Sequence, residues 1–159
     1  MKVENKKIID VCCGGRMFWF DKNHPATVYM DQRVVKPTKL SNGAMFSVNP
    51  DVVADFRNIP FDDESFALIA FDPPHIVNAG ETSRLANKYG YLKKETWKDD
   101  LRKGFEECFR VLKKDGVLIF KWNEWHIPTK DILALTQFRP LFGNRSGKAS
   151  KTHWIVFMK

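Results

Sequence analysis

The sequence predicts a single α/β domain built on an open, mostly parallel sheet flanked by helices. Short β-rich runs recur along the first part of the chain, and each closes on a carboxylate. A glycine turn follows the first run, and an amphipathic helical stretch separates the fourth run from the fifth. At 159 residues and 43% hydrophobic content, residues 1–159 read as one domain able to bury a sizeable core.

The runs follow in order. Lys7 to Val11 reads as a buried strand breaking into Gly14-Gly15, and Met17 to Phe20 as the start of a short helix or a turn. Thr27 to Asp31 is a second strand, Val52 to Asp55 a third, and Phe66 to Asp72 a fourth. Between the second and third, Val34 to Pro50 carries the turn residues Pro37, Ser41, Asn42 and Gly43 and no clear period. Residues 76–96 form a long polar stretch of the length used for lids and binding loops. From Trp97 to Leu112, apolar residues at Trp97, Leu101, Phe105, Cys108 and Leu112 keep a helical spacing, stopped by Lys113, Lys114 and Gly116. Val117 to Trp122 is a fifth strand, Lys130 to Leu135 a short helix, and Thr152 to Met158 a last strand.

In open parallel sheets, ligands bind outside the C-terminal ends of the strands. Asp10, Asp31, Asp55 and Asp72 would therefore face one crevice, although an acid after a strand also serves as a helix N-cap.

Charge and composition narrow the function classes. A formal net charge of +7 favours an acidic partner, of which nucleic acid is the commonest. The segment from Arg84 to Lys98 interleaves Lys88, Lys93, Lys94 and Lys98 with Tyr89, Tyr91 and Trp97, a mix suited to phosphate contact and base stacking. A second basic group gathers Arg139, Arg145, Lys148 and Lys151; solvated surface loops explain either group equally well. His24, His75, His126 and His153 are scattered without ligand spacing, so no metal site is expected. Cys12, Cys13 and Cys108 form an odd set that suits a reducing compartment. Neither a membrane span nor a signal peptide is readable, and the expected location is the cytoplasm.

Taken in order, Asp10-Val11-Cys12-Cys13-Gly14-Gly15, Asp31, Asp55-Phe56, Asp72-Pro73-Pro74-His75 and Arg110 to Phe120 resemble the motifs of class I S-adenosylmethionine (SAM)-dependent methyltransferases, including an Asp-Pro-Pro-aromatic amino-methyltransferase motif. The resemblance spans about residues 7 to 123 and implies a Rossmann-like sheet with a final antiparallel strand. It implies SAM as cofactor, with its methionine part against Asp10, Cys12 and Gly14 and near a following helix N-terminus; Asp10 would sit near the amino group of that part or fix the turn's amides. Asp31 would take the ribose hydroxyls, standing 21 residues after Asp10. Asp55 would accept from the adenine amino group, with Phe56 or Ile59 on the ring. Arg16 stands where the family has its last glycine.

At the fourth strand, Asp72 and the Pro73 carbonyl would accept from a target amine. The paired prolines stiffen the turn, and His75 stands where relatives carry an aromatic ring. The expected acceptor is an amino group of a DNA or RNA base, single-stranded or flipped out of a duplex. A protein side-chain amide, a small amine, and a non-catalytic nucleic-acid-binding module are the alternatives.

Overall fold

A computed structural model describes residues 6–40, 42–77, 88–147 and 149–159. The strands are β1 (Ile8–Asp10), β2 (Thr27–Asp31), β3 (Val35–Lys39), β4 (Met45–Val48), β5 (Val52–Val53), β6 (Phe66–Phe71), β7 (Leu112–Asn123), β8 (Phe142–Arg145) and β9 (Thr152–Met158). The helices are α1 (Trp97–Val111) and α2 (Thr129–Leu133).

The main sheet has seven strands in the order β5-β2-β1-β6-β7-β9-β8. From β5 to β7 all neighbours run parallel, whereas β9 is antiparallel to both β7 and β8. The expected open, mostly parallel sheet with a final antiparallel strand is therefore present. Register follows side-chain alternation. Ile9 lies opposite Val28 and Ile69, Ile69 opposite Leu118, and Leu118 opposite Phe157, so these buried residues share one face. Leu101, Phe105, Cys108 and Phe109 of α1 pack on that face, and Ile132 of α2 joins the same core. Phe105 sits at its centre, with ring centroids 5.5 Å from Phe71 and 4.9 Å from Phe120. Edge-on and tilted contacts of this kind each add about 0.5–1.5 kcal/mol beyond the area buried.

Two expectations change. The stretch from Val34 to Pro50 is a hairpin: β3 and β4 pair antiparallel, with an irregularity between Val35 and Thr38 beside Pro37, which has no N–H to offer the ladder. No helix follows β1 either, so its N-terminal amides are not available there. Residues 11–26 run as turns, because Gly14 and Arg16 take left-handed backbone angles of 48° and 54°. Trp19 pins this loop, its ring edge-on to Tyr29 at 5.2 Å. Element bounds shift as well: the third strand is only Val52–Val53, which leaves Asp55 beyond its end, and the short helix is Thr129–Leu133. β7 starts at Leu112, with Asp115 at φ 60° absorbing the irregularity before Val117. The edge strand β8 carries no apolar period and escaped the sequence reading. The expected loop of residues 76–96 is described only in part, residues 78–87 lying outside the described residues.

Gly104 lets α1 close on the sheet. A Cβ there would lie 2.7 Å from the Phe56 ring and 2.8 Å from Phe71 Cζ. Gly104→Ala gains up to about 1 kcal/mol in helix propensity, but overpacking costs about 1–3 kcal/mol. Urea unfolding should show a net loss of stability; a stabilised variant would contradict this packing.

Candidate functional site at the sheet rim

The order β2-β1-β6 sets Asp31, Asp10 and Asp72 at the ends of three neighbouring parallel strands. Asp10 is wholly buried. Trp19 Nε1 donates to its Oδ2 at 2.7 Å, and the Cys12 amide to its Oδ1 at 3.3 Å. Burial pushes its pKa up to about 7 against those hydrogen bonds, and the charges of Asp72 and Asp31 push the same way. Of the two roles open to Asp10, fixing the turn's amide is seen directly.

Asp31 is 4% exposed and saturated with donors. The Gly14 amide donates to Oδ2 at 2.9 Å, a direction that the left-handed φ of Gly14 permits. Arg33 supplies its backbone N–H and Nε to Oδ1, at 2.9 and 3.1 Å, and Nη2 to Oδ2 at 3.2 Å. Its Nη1 donates to the Lys88 carbonyl at 3.2 Å, so Arg33 ties the end of β2 to the segment beyond the Asp-Pro-Pro-His motif. The same pattern recurs at Asp55, whose carboxylate accepts from the amide and guanidinium of Arg57. Burial works to raise the Asp55 pKa, but the Arg57 hydrogen bonds outweigh it and hold the group below its ordinary value. Arg57 also reaches Asp100 of α1 at 2.7 Å.

Asp72 follows β6 and meets Lys121 of β7, whose Nζ donates to Oδ2 at 2.6 Å. Burial raises its pKa and the Lys121 ammonium opposes the rise. Pro73 is buried behind it. The His75 ring lies 6.3 Å from Tyr89 and 6.4 Å edge-on from Trp122. Its pKa is lowered by burial first, then by the charges of Lys121 and His126.

Cys12, Asp31, Arg33, Phe56, Asp72 and Tyr89 line a crevice of about 20 Å³. It adjoins a groove of about 1480 Å³ between the β3–β4 hairpin and residues 88–96, lined by Arg33, Lys39, Arg57, Lys88, Tyr91 and Lys93. Pro74 and Phe56 border both spaces. The rim thus brings together Cys12, Asp31, Phe56 and Asp72. Asp10 is buried away from the crevice, Gly14 reaches only Asp31 through its amide, and Asp55 turns aside onto Arg57.

Among the basic residues singled out from the sequence, Lys88 and Lys93 reach the groove, whereas Lys98 lies over the Trp97 ring. Arg145 pairs with Glu124, and Arg84 and Lys148 lie outside the described residues. Trp122 belongs to the core, its Nε1 donating to the Ile127 carbonyl, while Trp125 stays exposed. Arg33, Arg57 and Lys121 went unread in the sequence, although the repeated Asp-x-Arg spacing was visible there. No group of three or more His, Cys, Asp or Glu among the described residues could hold a metal ion. No helix of the described residues is long and apolar enough to cross a membrane.

The raised pKa of Asp10 has a thermodynamic sign. The folded protein keeps this proton up to about pH 7, whereas the unfolded chain releases it near 3.8. Between those values the native state binds more protons, so this group's contribution to stability falls as pH rises, by about 4 kcal/mol in all. Asp10→Asn leaves one acceptor oxygen for the two donors, Trp19 Nε1 and the Cys12 amide, at every pH, but removes the titration. Wild type should therefore lose stability relative to the variant from pH 4 to 8 in urea melts, and parallel curves would contradict the assignment.

No family model matches the chain. It is 34% identical over 116 residues to the DNA adenine methyltransferase YhdJ of Escherichia coli K12, a match covering 70% of this chain and 34% of that protein. The chain thus spans about a third of that relative's length. Among solved structures, the PH0226 protein of Pyrococcus horikoshii superposes with a TM-score of 0.60 at 15% identity, over 96% of this chain and 81% of that one. A SAM-dependent methyltransferase of Methanosarcina mazei superposes at 0.55 and 13% identity, over 98% and 93%. With its strand order, its antiparallel final strand and these neighbours, the chain has the class I methyltransferase fold.

Proposed function

We propose that the chain is a SAM-dependent methyltransferase whose acceptor is an exocyclic amino nitrogen of a DNA or RNA base. The observation that carries this reading is that Asp72 of the Asp72-Pro73-Pro74-His75 motif lines the carboxylate crevice while Pro74 borders both that crevice and the basic groove.

The residues at the rim fit SAM in their chemistry. Asp31 offers a carboxylate to the ribose diol, Phe56 an apolar ring surface, and Cys12 and the Gly14 amide a small-residue floor, whereas Asp55 would have to leave Arg57 to accept from the adenine amine. Arg33 now satisfies both oxygens of Asp31, so the diol and the guanidinium compete for one carboxylate. When bound, the cofactor supplies an electrophilic methyl group on a sulfonium.

The remaining chemistry belongs to the chain. An exocyclic amine is a poor nucleophile because its lone pair is delocalised into the ring. By accepting its N–H, Asp72 favours the pyramidal nitrogen and aims the lone pair outward, and the rigid Pro73-Pro74 turn fixes that direction. His75, held neutral by its surroundings, offers a flat face to the base without adding positive charge. The methylated ammonium then sheds its proton to water, so no strong general base is required. Rate comes mainly from positioning.

The +7 charge and the cations Lys39, Lys88 and Lys93 along the groove favour a polyanionic acceptor, and the E. coli relative is a DNA adenine methyltransferase. The base would have to be unpaired or flipped, at a cost of a few kcal/mol.

Methyl-labelled SAM incubated with single-stranded DNA, duplex DNA, RNA and protein should place label in nucleosides released by nuclease. Asp72→Ala should lose about a hundredfold or more of that transfer while keeping SAM affinity within about threefold. Lys88→Ala with Lys93→Ala should flatten the salt dependence of single-strand binding by roughly 0.7 in log-log slope per lysine. Label confined to protein or small molecules would overturn the nucleic-acid acceptor. Wild-type turnover in Asp72→Ala would overturn the role of the motif, and tight SAM binding without label anywhere would leave a binding module.

A further inference from the structure

We propose that Lys121 is a positioning residue of this site: its ammonium holds the Asp72 carboxylate by one oxygen and leaves the other to the incoming amine. This rests on the methyl-transfer reading above.

The placement comes from the sheet. Phe71 of β6 lies opposite Phe120 of β7 in parallel register, so the next residues, Asp72 and Lys121, emerge side by side at the rim. Alternation along β7 turns Val117, Ile119 and Lys121 to one face, the face opposite the α1 core. There Lys121 Nζ stands 5.7 Å from the Phe18 ring and 5.7 Å from the Trp154 ring, and those rings meet edge-on at 5.5 Å. Two aromatic faces and one carboxylate thus restrain the ammonium, and ring faces attract a cation in their own right. Its hydrogen bond goes to Oδ2 of Asp72, and among the described residues no donor reaches Oδ1.

A carboxylate in this position needs a counter-charge. Asp72 faces Asp10 from β1, Asp31 from β2 and the Cys12 thiol from the turn after β1, and its own burial works against a charge there. Arg33 is spent on Asp31, which leaves Lys121 as the cation in contact with Asp72 among the described residues. A protonated Asp72 would lose acceptor capacity, and the amine would lose its grip. The same ammonium acts on His75, which also faces His126 and the Tyr89 ring, and its charge there disfavours imidazolium. The lysine therefore acts on both side chains of the motif, favouring the charged form of Asp72 against burial and adding to burial in disfavouring the charged form of His75.

Lys121→Met, Lys121→Gln and Lys121→Arg separate this role from a merely structural one. In Met and Gln variants that retain the wild-type fold by circular dichroism, kcat for methyl transfer should fall about a hundredfold. The acid limb of the pH–rate profile should move up by about one pH unit or more. SAM affinity should stay within about threefold by calorimetry, and Lys121→Arg should restore most of kcat. In the ligand-free protein, the His75 imidazole followed by NMR should titrate at higher pH in Lys121→Met than in wild type. An unchanged pH–rate profile in a folded Met or Gln variant, or an unchanged His75 titration, would overturn the proposal. A wild-type protein that transfers no methyl to any acceptor would instead overturn the functional reading, while the His75 titration still reports on the lysine alone.

Discussion

The constraint on which this molecule turns is the gathering of three carboxylates, those of Asp31, Asp10 and Asp72, at the ends of adjacent parallel strands. An unpaired charge in such a place costs several kcal/mol, so each acid has its own means of being tolerated. Asp31 is ringed by the Gly14 amide and by the backbone and side chain of Arg33. Asp72 has the Lys121 ammonium. Among the described residues Asp10 has the Trp19 indole and the Cys12 amide as donors, and it meets the remaining cost by holding a proton to about pH 7. Much of the local architecture follows. The loop after β1 turns back so that Trp19 reaches Asp10, and Gly14 goes left-handed to aim its amide at Asp31. Arg33 leads into the hairpin from the end of β2.

That same charge arrangement connects the fold to the proposed chemistry. A rim that gathers carboxylates, each with its own counter-charge or proton, offers hydrogen-bond acceptors around a small crevice, while Lys39, Lys88 and Lys93 lie outward, along the groove where a polyanion would run. Pro74, two residues after the carboxylate proposed to grip the amine, borders both, together with Gln32, Arg33 and Phe56. Arg33 belongs to both sides: it neutralises Asp31 and reaches across to the Lys88 carbonyl on the far wall. Displacing it from Asp31 would free a cation at the groove as the diol takes its place, which couples the two proposed ligands through one side chain.

The sequence made legible what depends on local pattern. Thr27–Asp31 and Thr152–Met158 appear with the boundaries read for them, because β-branched and aromatic runs end sharply there. The helix from Trp97 was visible in its apolar spacing, although it stops at Val111, where the backbone turns extended at Leu112. The hairpin was not legible, since exposed Lys36, Pro37, Thr38 and Lys39 give no alternation and only Phe46 and Val48 point inward. The loss of the helix after β1 was equally hidden, because the family resemblance implied one and the left-handed Arg16 is a property of the folded loop. Within the site, the carboxylates could be read from their places at strand ends, whereas their partners could not. Lys121 and Asp72 are brought together by strand register across 49 residues, which no local pattern encodes.

The proposed chemistry rests on SAM binding at the Asp31 side of the rim. Calorimetric titration of SAM into wild type and Asp31→Ala tests it most directly, since the lost contact is a hydrogen bond to a charged acceptor, worth about 1.5–3 kcal/mol. Wild type should bind one equivalent, and a folded Asp31→Ala should bind about ten- to a hundredfold more weakly. No binding to wild type, or equal affinity in the folded variant, would contradict the account.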